Sequence, residues 1–268
     1  MMHFRTAFIG LLAAGVTFLA WHVSVAGVDP RTTAGSPRVP VLVELFTSEG
    51  CSSCPPADVL LGQLDRFQPV ATADLIVLSE HVDYWDDIGW KDPYSSREFS
   101  LRQARYAHRF RLDGPYTPQM IVDGDMQLVG SDEREALRVI GSAARVAKLA
   151  VNLSSPRLEG ANMVGVHVAV GPAPASARPI SGQVLLALAD DSDQSSVRRG
   201  ENAGRVLKHV AVVRSLAPIG ALDGSGTLSK DVTVSTAGAN LQNLRIVAIV
   251  QEAEAGRVLG VGSTRLPN

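Results

Sequence analysis

The spacing of apolar residues changes near residue 150, and this change limits the fold more than any other feature of the sequence. Before it, short apolar runs of strand type alternate with segments whose apolar residues recur at helical spacing. Their order predicts β-α-β-α-β-β-α, a mixed sheet flanked by helices. The predicted elements are strands at 39–46 and 74–82, helices at 56–64, 95–112 and 132–150, and a hairpin at 118–130 that turns at Asp123-Gly124.

After residue 150 the pattern indicates strands only. Short apolar runs such as MVGVHVAV, QVLLALAD and LRIVAIVQE are separated by clusters of Gly, Pro, Asp and Ser. Regular short strands with turn residues between them are typical of a β-sandwich. The sequence therefore predicts an α/β domain at 39–150 followed by an all-β sandwich-like domain at 151–268. The polar stretch 190–205 is predicted to be a solvated loop, with a ligand-binding loop as the alternative.

Residues 1–26 have the features of a secretory signal peptide. The apolar run 6–21 is too short to cross a bilayer comfortably, and the small residues Ser24 and Ala26 suit cleavage after residue 26. Residues 27–38 are rich in Gly, Pro, Ser and Thr and predict a flexible lead-in. We expect a periplasmic or secreted protein with no stable membrane span after cleavage, the alternative being an uncleaved N-terminal anchor. In such a compartment a disulfide persists.

The two cysteines, Cys51 and Cys54, lie in the stretch EGCSSCPPAD between a predicted strand and a predicted helix. A C-x-x-C at such a junction is the spacing of a thiol–disulfide redox couple, because a helix N-terminus stabilises a thiolate. This assigns Cys51 as the exposed nucleophile and Cys54 as the resolving thiol. The helix dipole contributes only about 0.3 to 1 kcal/mol, so Ser52 and Ser53 are candidates for tuning the thiolate by hydrogen bonds.

Two other roles for the cysteine pair stay open. The first is a structural staple, although a disulfide that closes so small a loop contributes only about 2 kcal/mol. The second is Cu(I) binding by the two thiolates with His81 as a third ligand, because copper(I) prefers soft ligands. A separate metal site of His81 with Asp83, Asp86 and Asp87 is also conceivable, but a loop of solvated acids explains these residues better.

The motifs LFTSEGCSSCPPAD and GPYTPQMIVDG resemble the thioredoxin superfamily. More closely, they resemble an exported, largely uncharacterised bacterial family, catalogued as a domain of unknown function with a thioredoxin-like N-terminal domain. The resemblance covers about 39–150. It implies that Thr117 and Pro118 form a cis-proline turn that faces the cysteines and positions a substrate's backbone. It also suggests that Glu44 is a buried general base for Cys54, the alternative being an exposed carboxylate at a strand edge.

Two features depart from the thioredoxin pattern. Pro55 and Pro56 directly follow the second cysteine, and a residue before proline disfavours helical torsions. We therefore expect the helix to begin at Pro56, with CSSC in a tight preceding turn. The second feature is the insertion 80–94, which contains Trp85 and Trp90. It could wall a substrate-binding groove or restrict access to the cysteines, but the favoured interpretation is an aromatic lid packed on the core.

Other polar residues give weaker signals. Three arginines follow one flank of a predicted helix and indicate a solvated stripe rather than an anion site: Arg102, Arg105 and Arg109. Three histidines have no recognisable partners in the sequence: His108, His167 and His209.

Together these features predict an exported thiol–disulfide oxidoreductase that exchanges disulfides with protein or small-molecule thiols and disulfides. Its candidate site residues are Cys51, Cys54 and Glu44 for catalysis, and Thr117, Pro118, Trp85 and Trp90 for substrate binding. No cofactor is expected. The alternative is a non-catalytic thioredoxin-like binding module that handles copper. A formal net charge of only −2 gives no reason to expect nucleic acid as a partner.

Overall fold

The computed structural model of the 268-residue chain describes residues 1–3, 37–154, 156–160, 162–172, 181–236 and 238–266. The predicted signal peptide beyond residue 3 and most of the predicted lead-in lie outside the described residues. Within the ranges described, no helix combines the length and the apolar character needed to cross a membrane. Residues Ser36–Asn268 form one compact unit.

The first part of this unit has the predicted order of strands and helices. Its elements are β1 (Val39–Thr47), α1 (Pro55–Phe67), β2 (Ala73–His81), α2 (Arg97–Arg109), β3 (Gln119–Val122), β4 (Met126–Val129) and α3 (Glu133–Ala143). The helix bounds differ from the prediction by a few residues. Helix α2 begins at Arg97 instead of Ser95, with Ser96 as its N-cap, whose side chain accepts the Glu98 N–H. Helix α3 ends at Ala143 instead of near residue 150.

The described residues after 150 form strands and turns with one short 3-10 helix. The strands are β5 (Val151–Leu153), β6 (Arg157–Leu158), β7 (Met163–Val170), β8 (Gln183–Ser196), β9 (Val206–Ala221), β10 (Leu228–Ser235), β11 (Leu244–Gln251) and β12 (Val258–Arg265). The sequence did not predict β5, β6 or β12. Strand β12 contains Gly260, which weakens the strand pattern in the sequence. A Cβ at this position would lie 2.7 Å from the Leu149 carbonyl oxygen, so the close approach of the backbone explains why glycine is present.

Both parts of the chain contribute to one eight-stranded sheet with the order β12-β11-β8-β9-β2-β1-β3-β4. Strands β1 and β2 are parallel, and β3 pairs antiparallel with the other side of β1. Strand β9 joins the free side of β2 through a parallel pairing of Ser79 with Val212. The domain division at 150/151 therefore does not separate two sheets, because the second part pairs with a strand edge that the first part leaves open.

A second, antiparallel sheet of β10, β7 and β5, with β6 also paired to β7, covers part of the large sheet. Val164, Val166 and Val168 of β7 lie in one buried cluster with Leu186 of β8 and Ile246 of β11. This packing of two apolar sheet faces is the arrangement expected of a sandwich. One of its two layers is the shared sheet, so the sandwich is continuous with the α/β part.

Strand β1 is buried on both faces because helices cover both sides of the sheet. Val43 and Leu45 pack against Leu61 of α1, and this side is called the α1 face. Phe46 packs against Tyr106 of α2 on the opposite side, called the α2 face. Since successive side chains of a strand alternate between faces, the position of each polar residue in β1 and β2 decides which helix it meets.

Candidate functional site

Cys51 and Cys54 form a disulfide with a Cα–Cα distance of 5.5 Å, directly before α1. The Cys54 N–H donates to the Cys51 carbonyl oxygen at 3.2 Å, so the CSSC segment is a tight turn. Both cysteines are fully buried, whereas Ser52 and Ser53 between them are exposed. The prediction that Cys51 is exposed is therefore wrong for the disulfide form.

The first turn of α1 does not direct N–H groups at the Cys51 sulfur. The helix begins at Pro55, one residue earlier than predicted, with Cys54 as its N-cap. Pro55 and Pro56 have no N–H, and the N–H groups of Ala57 and Asp58 donate to the Cys54 carbonyl oxygen at 2.8 and 3.1 Å. These amides are already used, so the expected thiolate stabilisation by the helix N-terminus is weak here.

Side chains of the CSSC turn supply one contact to the sulfur. The Ser53 hydroxyl lies 3.3 Å from Cys51 Sγ, which suits the role predicted for it in tuning the thiolate. Ser52 acts differently, because its backbone N–H donates to Glu201 Oε2 at 3.0 Å. Ser53 therefore contacts the sulfur, whereas Ser52 binds the CSSC turn to Glu201.

The peptide bond between Thr117 and Pro118 is cis, as the resemblance implies. The turn lies beside the start of α1, since a Cβ placed on Gly130 would be 3.1 Å from both the Pro118 Cβ and the Ala57 Cβ. Gly130 also donates its N–H to the Pro118 carbonyl oxygen at 3.0 Å. The absence of a side chain at Gly130 thus permits this turn to approach the helix that follows the cysteines.

Both tryptophans of the insertion are half-buried and contact the same region. Trp85 Nε1 donates to Thr117 Oγ1 at 2.8 Å, and its Cβ would lie 3.1 Å from a Cβ placed on Gly50. Trp90 Nε1 donates to Glu49 Oε2 at 2.8 Å. The insertion therefore links the cis-proline turn to the residues directly before Cys51.

The tip of the β8–β9 hairpin, residues 197–205, covers the CSSC turn. Asn202 is fully buried, and its Nδ2 donates to the carbonyl oxygens of Glu49 and Cys51, both at 2.9 Å. Glu201 accepts the Ser52 N–H described above. The prediction of a solvated loop at 190–205 is confirmed only for the second half of this range, where most residues of 197–205 are exposed, because the residues up to Ser196 belong to β8.

A buried acid–histidine cluster lies behind the cysteines on the α1 face. His209 Nε2 is 3.1 Å from Glu49 Oε1, and His209 Nδ1 is 3.9 Å from Asp58 Oδ1. The Ser195 hydroxyl also donates to Glu49. Burial alone would lower the pKa of His209, but the Asp58 and Glu49 carboxylates raise it to about 10. His209 is therefore an imidazolium at neutral pH.

His81 belongs to the same cluster. Its Nδ1 lies 2.7 Å from Asp92 Oδ2, and its ring contacts the His209 ring at a centroid distance of 4.7 Å. Burial raises the pKa of the Asp92 carboxyl, but His81 and two backbone N–H groups lower it below its usual range. Among the described residues, no group of three His, Cys, Asp or Glu side chains is arranged to hold a metal ion. Copper binding by Cys51 and Cys54 with His81 stays a prediction.

Glu44 does not reach Cys54. It is fully buried on the α2 face, where it accepts hydrogen bonds from Arg102 Nε at 2.7 Å and from the Tyr106 hydroxyl at 2.6 Å. The same guanidinium lies 3.4 Å from Glu80, whose pKa is raised well above its usual range by burial, opposed by Arg102. Glu44 is buried, as the first sequence interpretation expects, and the alternative of an exposed carboxylate at a strand edge is wrong because the sheet continues on both sides of β1. Strand alternation directs Glu44 away from α1, so the structure does not support its role as a base for Cys54.

The remaining arginine and histidine candidates lie in different environments, only some of which were expected. Arg102 is buried in an ion pair, whereas Arg105 and Arg109 are exposed as a solvated stripe should be. His167 has partners, since its Nδ1 lies 2.8 Å from Asp231 Oδ1 and its Nε2 lies 3.1 Å from the Ser229 hydroxyl on the exposed small sheet.

Four residues of the site were not identified as site residues from the sequence: Glu49, Asp58, Asn202 and His209. Only Asp58 carried a local signal, because its i+4 spacing from Cys54 places both on one helix face.

Comparisons with known proteins place this fold among bacterial proteins. Protein AGR_C_4864 from Agrobacterium tumefaciens is 25% identical, with a TM-score of 0.64 over 87% of this chain and 100% of that one. HBP35 of Porphyromonas gingivalis is 14% identical, with a TM-score of 0.60 over 87% of this chain and 76% of that one, and shows similarity of fold alone. No curated protein matches the sequence. A family model described as "Protein of unknown function (DUF1223)" matches residues 42–251, and the chain therefore belongs to this family.

Proposed function

We propose that Cys51 and Cys54 are the redox centre of an exported thiol–disulfide oxidoreductase whose residues 39–150 have a thioredoxin-like fold. In its reduced form, the Cys51 thiolate attacks a substrate disulfide, whose S–S bond breaks; one substrate sulfur forms a mixed disulfide with Cys51 and the other leaves as a thiolate. Cys54 then attacks the Cys51 sulfur, releases the second substrate thiolate and restores the protein disulfide. The reverse sequence donates a disulfide to a substrate dithiol.

The observation that carries this proposal is the position of the disulfide within a buried set of ionisable groups. A disulfide that closes so short a loop contributes only about 2 kcal/mol to stability, which is little for a chain with so large a core. A structural staple also has no need of the neighbouring His209, Asp58 and Glu49, whose burial is energetically unfavourable. A buried cluster that contains a group with a strongly raised pKa, as His209 does, is typical of functional sites.

The surroundings of the cysteines also suit a thiol or disulfide substrate. Thr117 and Pro118 lie beside the start of α1, and Trp85 contacts both Thr117 and the Gly50 position. These side chains form a surface on which the backbone of a substrate would bind next to Cys51. Because Cys51 is buried in the oxidised protein, a substrate protein reaches it after the hairpin tip at 197–205 has moved.

The reduction potential of the Cys51–Cys54 pair tests the proposal. We expect a value between about −120 and −270 mV, the range of redox-active pairs, measured by equilibration with glutathione or dithiothreitol buffers. Cys51→Ser and Cys54→Ser are the matched controls, and neither should show a two-electron transition. A potential below about −300 mV, with no exchange with small disulfides, would identify the pair as a structural disulfide instead. Stoichiometric Cu(I) uptake by the reduced protein, lost in Cys51→Ser, would support the binding-module alternative.

A further inference from the structure

Resolution of a mixed disulfide requires the Cys54 thiol to lose its proton. Cys54 is fully buried in the disulfide form, where solvent does not reach its sulfur. Glu44 lies on the opposite face of the sheet. A buried proton acceptor close to Cys54 is needed.

Asp58 has the position that this step requires. It lies one turn after Cys54 in α1, so that both side chains project from the same face of the helix, and both are buried. Within the described part of the chain, Asp58 Oδ1 has no hydrogen-bond partner, and neither has His209 Nδ1, which lies 3.9 Å from it. A buried carboxylate oxygen without a donor is unusual and calls for a functional explanation.

We propose that Asp58 accepts the proton of the Cys54 thiol, and that His209 is a positioning residue that keeps Asp58 ionised and oriented. This inference rests on the proposed thiol–disulfide exchange and identifies the proton path of its second step. His209 is held from its other side by Glu49, at 3.1 Å from Nε2, so the imidazole spans two carboxylates. The raised pKa of His209 agrees with this role, since the ring stays charged while Asp58 gains and loses a proton.

The proton transfer and the disulfide exchange together conserve atoms and charge. The thiol proton of Cys54 moves to the Asp58 carboxylate, and the Cys54 sulfur attacks the Cys51 sulfur of the mixed disulfide. The Cys51–Cys54 bond forms, the bond to the substrate sulfur breaks, and the substrate leaves as a thiolate. The protein dithiol has then been oxidised by two electrons and the substrate disulfide reduced. The proton leaves Asp58 for the substrate thiolate or for solvent.

Several other titratable groups face this pair. Glu49 contacts His209 from the loop after β1, and His81 contacts the His209 ring from β2. Tyr94 lies with its ring 5.7 Å from the His209 ring. Asp92 is bound to His81 and is therefore one contact further away.

A two-step colour reaction separates the proton transfer from the attack by Cys51. Reduced full-length protein is mixed with dithiobis(nitrobenzoate), which releases one coloured thiolate when Cys51 attacks and a second when Cys54 resolves the mixed disulfide. In Asp58→Asn we expect the first release within about twofold of wild type and the second slowed by about 100-fold, the usual size of a general-base contribution. The remaining second-step rate should rise tenfold per pH unit, because hydroxide must then take the proton.

Matched variants keep the test independent of folding. Asp65→Asn removes a carboxylate further along the same helix, where it pairs with Arg245, and should leave both releases unchanged. Asp58→Glu should recover much of the second step, and His209→Gln should slow that step and shift its pH profile. An unchanged second release in Asp58→Asn, or equal slowing in Asp65→Asn, would overturn the inference while leaving the redox function intact. No first release from the wild-type protein would refute the proposed function itself.

Discussion

Asn202 is the best point at which to test whether the hairpin tip controls access to the cysteines. Its Nδ2 makes two hydrogen bonds, to the carbonyl oxygens of Glu49 and Cys51, and the side chain is fully buried. Asn202→Ala removes both donors and leaves two buried carbonyl groups unpaired.

The magnitude follows from these two bonds. Each unpaired buried carbonyl is unfavourable by about 1 to 3 kcal/mol, so Asn202→Ala should weaken the docking of the tip by about 2 to 6 kcal/mol. A loss of about 2 kcal/mol raises the population of the open tip about 30-fold. If opening exposes Cys51, the rate at which the disulfide is reduced should rise by the same factor.

The assay is the rate of disulfide reduction by dithiothreitol at pH 7, followed together with urea denaturation of the oxidised protein. Asn243→Ala is the matched control, because Asn243 is also an asparagine that donates to a backbone carbonyl, that of Ser192, but at a half-buried site. We expect the control to change stability by less than about 1 kcal/mol and reduction not at all. Equal reduction rates in Asn202→Ala and wild type would show that the tip does not limit access.

Two further predictions concern the buried charges. In His209→Gln we expect a flatter dependence of stability on pH, measured by urea denaturation: the His209 ion pairs stabilise wild type fully below about pH 6.5, and this contribution is lost as pH rises towards about 10. An unchanged decline in the variant would contradict that pKa. Arg102→Met should destabilise the fold by about 3 to 5 kcal/mol at pH 7, because Glu44 and Glu80 lose their shared cation. Adding Glu44→Gln to this variant should restore part of the lost stability. If Arg102→Met alone changes the free energy of unfolding by less than about 1 kcal/mol, the ion pairs of Arg102 with Glu44 and Glu80 do not contribute as described.

Much of the α/β part could be predicted from sequence because its signals are local. The turn at Asp123-Gly124 has positive φ at both residues, as such a hairpin requires, and the periodicity of apolar residues located each helix. The two strand faces of β1 were harder to assign. Glu44 stands in an apolar run that is buried on both sides, so the sequence does not show which helix it meets.

The candidate site was only partly predictable because half of it comes from distant sequence. Cys51, Cys54, Thr117 and Pro118 were identified from motifs. Asn202 is separated from Cys51 by 151 residues and lies in a polar stretch with no strand-like pattern at its centre. Such contacts depend on the pairing of β9 with β2, which joins the two parts of the sheet and which no local pattern indicates.

The pairing of β9 with β2 also has a consequence for the order of events during synthesis. Both cysteines leave the ribosome long before Asn202 and His209 exist, so the nascent segment carries an unshielded thiol pair without its acid–base partners. A fragment that stops before residue 197 would keep every cysteine and the cis-proline turn, yet lack the tip and the imidazolium. The candidate site is therefore a late product of folding, completed only when the C-terminal strands have joined the sheet.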